Sequence, residues 1–366
     1  MSHSAFPDKS IGKWFRSGIL ATGMNLLGLM KYCAGVTWVV LAASLAAGNA
    51  GAQTWEFTSC SATGAEGPLQ TECDTAYAGT LLEGEVSVSG GIQSWTVPAN
   101  GTYRITAVGA QGTSGDAGFV GGSGASLQAD FSLDTGTVLQ VAVGQVGLEN
   151  GCNGGGGGGS FVVGPTEEPL LVAGGGGGTR AVVGQNGCDA SLTTFGIIGS
   201  GGDTTSACTV KNVDEGLGGT VSASSWGSAG AGFFGNGAVD GFATAALSWA
   251  NGVLGGGVGG SAEGGFGGGG SGTGSCGGGG GGGYSGGDGG RVAGGGGSFA
   301  AASAENLLTA LAGSGVGSVT IEALEIIPPE PEPSPLPVPA VPLFGIALLA
   351  ALILLVGLMR RRRLQA

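Results

Sequence analysis

The chain has 366 residues, 86 of them glycine, with 10% charged and 42% hydrophobic side chains. Its formal charge of −13 understates the acidity of residues 53–340, where 24 acidic side chains face only Arg104, Arg180, Lys211 and Arg291, a net of −20. That balance excludes nucleic-acid binding and favours cationic partners, and the single histidine, His3, leaves the body of the chain without imidazole chemistry.

Residues 1–52 read as a signal peptide, with Met24 and Met30 as alternative starts. Lys31 supplies the positive end, AGVTWVVLAASLAA (34–47) the apolar stretch, and Ala50-Gly51-Ala52 a small-residue site at which signal peptidase would cut between Ala52 and Gln53. Cys33 leaves with the leader. Export places Cys60, Cys73, Cys152, Cys188, Cys208 and Cys276 in an oxidising compartment, where disulfides are the default. Sequence alone cannot resolve the pairing of six cysteines. Cys60 and Cys73 form the best local pair, worth about 3 kcal/mol on a chain-entropy model. Zinc is disfavoured, since the cysteines lack CxxC spacing and histidine partners.

Residues 85–147 give the clearest β signal. IQSWTV (92–97) and TYRITAV (102–108) alternate around the turn Pro98-Ala99-Asn100-Gly101, and ASLQADFSL (125–133) and VLQVAV (138–143) alternate around Asp134-Thr135-Gly136. Further short strands are predicted at 160–163, 170–173 and 317–323, with a short helix at 300–312. Strands of this spacing point to a sandwich or jelly roll. Asn100-Gly101-Thr102 has the form of a glycosylation sequon, but the hairpin turn explains it.

Between these strands lie glycine runs at 154–159, 174–178, 255–260 and, longest, 264–297, where 23 of 34 residues are glycine. Neither a helix interior nor an ordinary strand tolerates such density, at about 0.5–1 kcal/mol per glycine against alanine. Two readings remain: a flexible linker, or packed extended threefold helices of the polyproline II type, with glycine wherever backbones meet. Isolated apolar residues (Phe266, Tyr284, Val292, Phe299), strand-like neighbours and the flanking Cys152 and Cys276 favour the folded reading, a bundle of polyglycine II helices.

No cofactor or metal site is expected. Glycine runs generate GxGxxG by chance, no GK[ST] is present, and Gly286-Gly287-Asp288-Gly289 is a single unrepeated match to calcium-binding glycine–aspartate repeats. Glu167-Glu168, the nearest thing to a catalytic carboxylate pair, reads as a solvated turn. Beyond the body, residues 327–340 form a stiff proline-rich linker. Residues 341–359 read as a transmembrane helix about 28 Å long. Arg360, Arg361, Arg362 and Arg363 open a cytoplasmic tail at 360–366, by the positive-inside rule.

Two family resemblances follow. WEFTSC (55–60), GPLQ (67–70), Cys73, Ala76-Tyr77, GIQSWTVP (91–98), Tyr103, GAQG (109–112), VGQ (143–145), PLLVAGGG (169–176) and CGGGGGGGY (276–284) resemble, in order, the extracellular glycine-rich domain of anaplastic lymphoma kinase and leukocyte tyrosine kinase. The resemblance covers about residues 55–325 and implies a jelly-roll sandwich of tumour-necrosis-factor-like topology, with polyglycine helices inserted, for the glycine-rich domain at 53–326. It also implies a small basic polypeptide as ligand. The VAIK, HRD and DFG motifs of a kinase are missing from this chain, so catalysis does not carry over. The proline-rich spacer, apolar helix and terminal arginines resemble bacterial PEP-CTERM or IPTL-CTERM signals, which implies an exosortase-type enzyme as a second processing partner.

The sequence therefore predicts a mainly β protein with one C-terminal transmembrane helix. It is expected to be an exported bacterial envelope protein, anchored in the inner membrane or released to the surface, with a non-catalytic role in adhesion, matrix building through self-association, or ligand capture. The alternative is a receptor-like module for one specific basic polypeptide.

Overall fold

Alternation of apolar and polar residues sets the first layer of the protein. The computed structural model describes residues 53–115, 118–180, 185–200, 205–221, 226–257, 261–274, 276–312, 314–328 and 343–363. The leader with Ala52, and most of the proline-rich linker, lie outside the described residues.

The first sheet holds β1 (Thr54–Phe57), β4 (Gly101–Val108), β5 (Ala125–Leu133), β12 (Glu305–Leu311) and β13 (Ser318–Ile326), in the order β1-β13-β4-β5-β12. The second holds β2 (Val86–Ser89), β3 (Ile92–Thr96), β6 (Val138–Ala142), β9 (Ser160–Val163), β10 (Pro169–Ala173) and β11 (Phe299–Ala300), in the order β11-β10-β9-β6-β3-β2. A two-stranded ribbon, β7 (Glu149–Asn150) with β8 (Asn153–Gly154), leads into the first glycine run. Every pairing between named strands is antiparallel. A short helix α1 (Gln70–Ala76) follows β1; the Glu72 carboxylate accepts the Leu69 N–H at its start (2.8 Å), and a disulfide joins Cys73 to Cys60.

The two sheets share one core. Trp55, Tyr103, Ile105, Leu127 and Ile321 of the first meet Trp95, Leu139, Val141, Val162 and Leu171 of the second, with Trp55 and Trp95 ring centroids 4.9 Å apart. The second sheet is covered on its other face as well. Ala142, Phe161, Val163 and Val172 belong to a separate cluster with Phe233, Trp249 and Phe266, contributed by the glycine-rich segments. This explains why β9, SFVV, is buried at every position instead of alternating.

The glycine runs form the outer layer, and their hydrogen bonds repeat every three residues. Gly278, Gly281 and Tyr284 donate to the carbonyls of Gly290, Gly294 and Gly297; Gly279 and Gly282 to Gly154 and Gly157; Gly280 and Gly283 to Ser228 and Ala231. Each third residue thus returns to the same neighbour, as a helix of three residues per turn requires. Backbone groups are satisfied between segments rather than within them. A disulfide joins Cys152 to Cys276 at the entrance of two runs, and another joins Cys188 to Cys208 in the adjoining loops.

Two expectations are corrected. Residues 300–312 do not form a helix: Glu305–Leu311 pairs as β12 with β5, in registers such as Leu308↔Gln128 and Leu311↔Ala125, with a bulge near Glu305. Strand pairing there overrides the helical propensity of an alanine- and leucine-rich stretch. The C-terminal transmembrane helix, part of the expected fold class, is overturned. Among the described residues no helix is long and apolar enough to cross a membrane. The described helix there, α2 (Leu343–Arg363), carries Arg360, Arg361, Arg362 and Arg363 in its last turn.

Candidate functional site

The few cations of the body are paired with a carboxylate or at least partly buried. Arg104 on β4 reaches across to Asp130 on β5 through two parallel hydrogen bonds, Nε to Oδ1 at 2.8 Å and the terminal nitrogen to Oδ2 at 3.0 Å. Asn306 adds a third bond to Asp130, at 2.8 Å. The Arg104 hydrogen bond holds the Asp130 carboxyl below the usual carboxylate range and raises the guanidinium in return. Lys211 is buried, its Nζ 2.5 Å from Asp288 Oδ1, an oxygen that also accepts the N–H and hydroxyl of Thr220 at 2.7 and 2.8 Å. Arg180 is buried and Arg291 half-buried, and the Arg180 N–H donates to the Arg291 carbonyl at 3.0 Å. Burial pushes both guanidinium groups down, and the charge of Arg180 adds to the effect on Arg291. Asp130 and Asp288, the buried carboxylates, are the ones spent on these cations. Within residues 53–328, the remaining described acids have no fully exposed cation to offset them.

Two adjoining clefts concentrate that charge where the loop after β1 meets the glycine layer. Both include Glu66 and Leu254. One, of about 440 Å³, is closed by Thr63, Thr244 and Glu263; the other, of about 230 Å³, by Pro68, Leu69, Gln70 and Val88. The walls are fixed by backbone: Gly255 donates to Ala65 (2.9 Å), Phe266 to Gly64 (2.7 Å) and Leu148 to Glu263 (2.7 Å). Glycine is required at position 67, where a Cβ would lie 2.5 Å from Gly91 Cα and 2.7 Å from the Phe266 ring. The result is two carboxylates, Glu66 and Glu263, in the first cleft, and Glu66 beside Leu69, 64% exposed, in the second. Such a surface suits a long cationic side chain with an aliphatic stem. It offers no nucleophile–base pair, and among the described residues no group of three or more His, Cys, Asp or Glu side chains is placed to hold a metal ion.

The residues singled out from sequence fall as follows. Gln53 precedes β1, and its carbonyl accepts the Ala323 N–H. Arg360 to Arg363 sit exposed at the end of α2. Glu167 and Glu168 lie in the β9–β10 turn, where Glu168 accepts the Thr166 N–H at 3.0 Å and its hydroxyl. Asn100 Oδ1 accepts the Thr135 N–H at 2.8 Å, a turn contact. Phe233 is buried against Trp249, the rings 5.8 Å apart and nearly parallel. Among the described residues the exposed aromatics are Phe234 and Phe242, the latter against half-buried Trp226 at 5.8 Å. Glu66 and Glu263 escaped sequence reasoning, being 197 positions apart in ordinary loops. The burial of Lys211 had one faint signal, its being the single lysine of the 53–340 body.

No family model matches the chain. The leukocyte tyrosine kinase receptor of Mus musculus is 39% identical to it over 104 residues, 27% of this chain and 12% of the receptor. The chain thus spans only a small fraction of the length of the curated relative it matches.

Proposed function

We propose that this chain is an exported, non-catalytic binding module that captures a basic polypeptide. The observation that carries this reading is the withdrawal of Arg104, Arg180, Lys211 and Arg291 into ion pairs or burial, which leaves an almost unrelieved acidic exterior. The three disulfides support an oxidising compartment, and the partial likeness to a receptor supports a role in recognition. Exposed charges act over about 8 Å at physiological salt and govern on-rate more than final affinity. The test is a binding titration of the purified full chain against a basic and an acidic polypeptide of equal length. Association with the basic one should slow as salt rises, and Glu66→Gln with Glu263→Gln should slow it further. Equal, salt-insensitive binding to both polypeptides would refute the reading.

A second role, self-association into a matrix, is favoured by β12. This edge strand is exposed at every residue, including Leu307, Leu308 and Leu311, and carries one charge, Glu305. Such edges are ordinarily guarded by charge or proline. Concentration-dependent mass in light scattering, abolished by Leu308→Lys, supports it; a strictly monomeric chain rejects it.

A further inference from the structure

A groove of about 480 Å³ runs along β1, one of the two edges of the first sheet, opposite the segment after α1. Thr54, Trp55, Glu56 and Thr58 form one wall; Tyr77, Leu81 and Leu82 lie on the other. Backbone alternation decides what the edge offers. The Gln53 carbonyl accepts the Ala323 N–H at 2.9 Å, and β1 pairs with β13 in the register Trp55↔Ile321 and Phe57↔Val319. In an antiparallel ladder the bonded residues alternate, so Trp55 and Phe57 turn their N–H and C=O groups toward β13. Thr54, Glu56 and Thr58 turn theirs into the groove.

At Thr58 the groove is already answered from within. Its N–H donates to the Tyr77 hydroxyl (3.0 Å), and its carbonyl accepts the Gln93 side-chain amide (2.9 Å). Tyr77 is itself buried and bonded to Gln93 Oε1 at 2.5 Å, which fixes this end. At Thr54 and Glu56, four and two residues earlier, no described residue takes up the equivalent groups. Among the described residues the groove is therefore a slot closed at one end, with the Thr54 and Glu56 backbone donors and acceptors unanswered along one side.

The chemistry of the occupant follows from the walls. One face of an added strand would meet Trp55 and the half-exposed Leu81; the other would lie beside the Glu56 carboxylate. Residues 53–97 contain six acids and no lysine or arginine. We infer that the β1 edge binds its partner by strand addition, taking an extended segment in which basic and apolar residues alternate. This rests on the basic-polypeptide reading above and assigns it a place and a mode: backbone bonds supply attachment, and alternate side chains supply selection.

The experiment uses the full chain and a blocked hexapeptide alternating lysine and valine, with its glutamate–valine counterpart, followed by amide hydrogen exchange and by titration. The lysine–valine peptide should bind and slow exchange at the Thr54 and Glu56 amides. Thr54→Pro removes one outward N–H at the first position of an edge strand, where proline is tolerated, and should weaken binding about fivefold to tenfold, the worth of about one hydrogen bond. Glu56→Gln should weaken it at low salt only. Binding that leaves both amides unprotected, or that Thr54→Pro does not change, overturns strand addition while the basic-polypeptide reading stands. Equal protection by the glutamate–valine peptide overturns the assigned chemistry. No binding of either peptide overturns the inference, and the salt-dependent titration with basic polypeptide then decides the broader reading on its own.

Discussion

Gly278→Ala is a severe test of the glycine layer because two effects of opposite sign compete there. Gly278 is not among the glycines with positive φ, so alanine fits its backbone, and reduced freedom of the unfolded chain would stabilise by about 0.4–1 kcal/mol. Against this, the new methyl would sit 2.5 Å from the Gly178 carbonyl oxygen, 2.8 Å from its carbon and 3.1 Å from Thr179 Cα. Contacts of that kind need about 3.5 Å, so one backbone must move by nearly 1 Å. The bonds at stake are Gly278 to Gly290 (2.6 Å), Gly178 to Gly279 (2.8 Å) and Ala293 to Gly178 (2.9 Å). Three bonds at about 1 kcal/mol each, plus about 1–3 kcal/mol for overpacking, outweigh the entropic gain several-fold. The net loss is about 4 kcal/mol, a large share of the about 5–15 kcal/mol that holds an ordinary domain. Urea unfolding of the oxidised chain, followed by tryptophan fluorescence, measures it. Gly136→Ala is the control: its φ is +84° with no atom within 4 Å, so it carries only the backbone penalty of about 1–2 kcal/mol. A Gly278→Ala protein as stable as the parent would refute close packing of these runs.

Removing Cys152–Cys276, whose residues are 124 apart, should cost about 5 kcal/mol, against about 3 kcal/mol for Cys60–Cys73, 13 apart. Equal shifts in the urea midpoints of the paired Cys→Ser variants would contradict the loop-closure account. Lys211→Met should cost about 3–5 kcal/mol by stranding Asp288, and adding Asp288→Asn should restore most of it; no rescue would mean the pair matters through packing alone. Asp130 titrates below the ordinary range when folded, and near pH 4 when unfolded. Its contribution is complete above that unfolded value and disappears as pH falls through the folded one. Asp130→Asn should therefore be less stable at neutral pH and lose less stability on acidification; an unaltered acid limb in the stability profile would count against the Arg104 pairing.

Alternation marks only the strands with one wet face; β9 and β10 are read instead from short apolar runs beside the glycine runs. Alternation marks β4 and β5 because Thr102, Arg104 and Thr106 look outward while Tyr103, Ile105 and Ala107 look inward. It fails at β9, which the glycine layer covers from behind, and at β12, where Leu307, Leu308 and Leu311 keep a helical spacing although the backbone pairs with β5. Helix α1 was missed because seven residues give too little periodicity to stand out. The grooves were illegible for another reason. Tyr77 meets Thr58, and Glu66 shares a cleft with Glu263, only after the chain has folded back across distant loops.

The three-residue rhythm of the glycine layer makes length, rather than composition, the quantity that selection must guard. In residues 278–284 each N–H is assigned to one of three neighbours in rotation. Deleting one glycine leaves an apparently identical run, yet turns every later residue by about a third of a turn and hands its hydrogen bond to the wrong neighbour. A gain or loss of three residues restores the rotation. Insertions and deletions tolerated in these runs should therefore come in multiples of three residues, nine nucleotides in the reading frame, whereas glycine-to-glycine exchange along the run is silent.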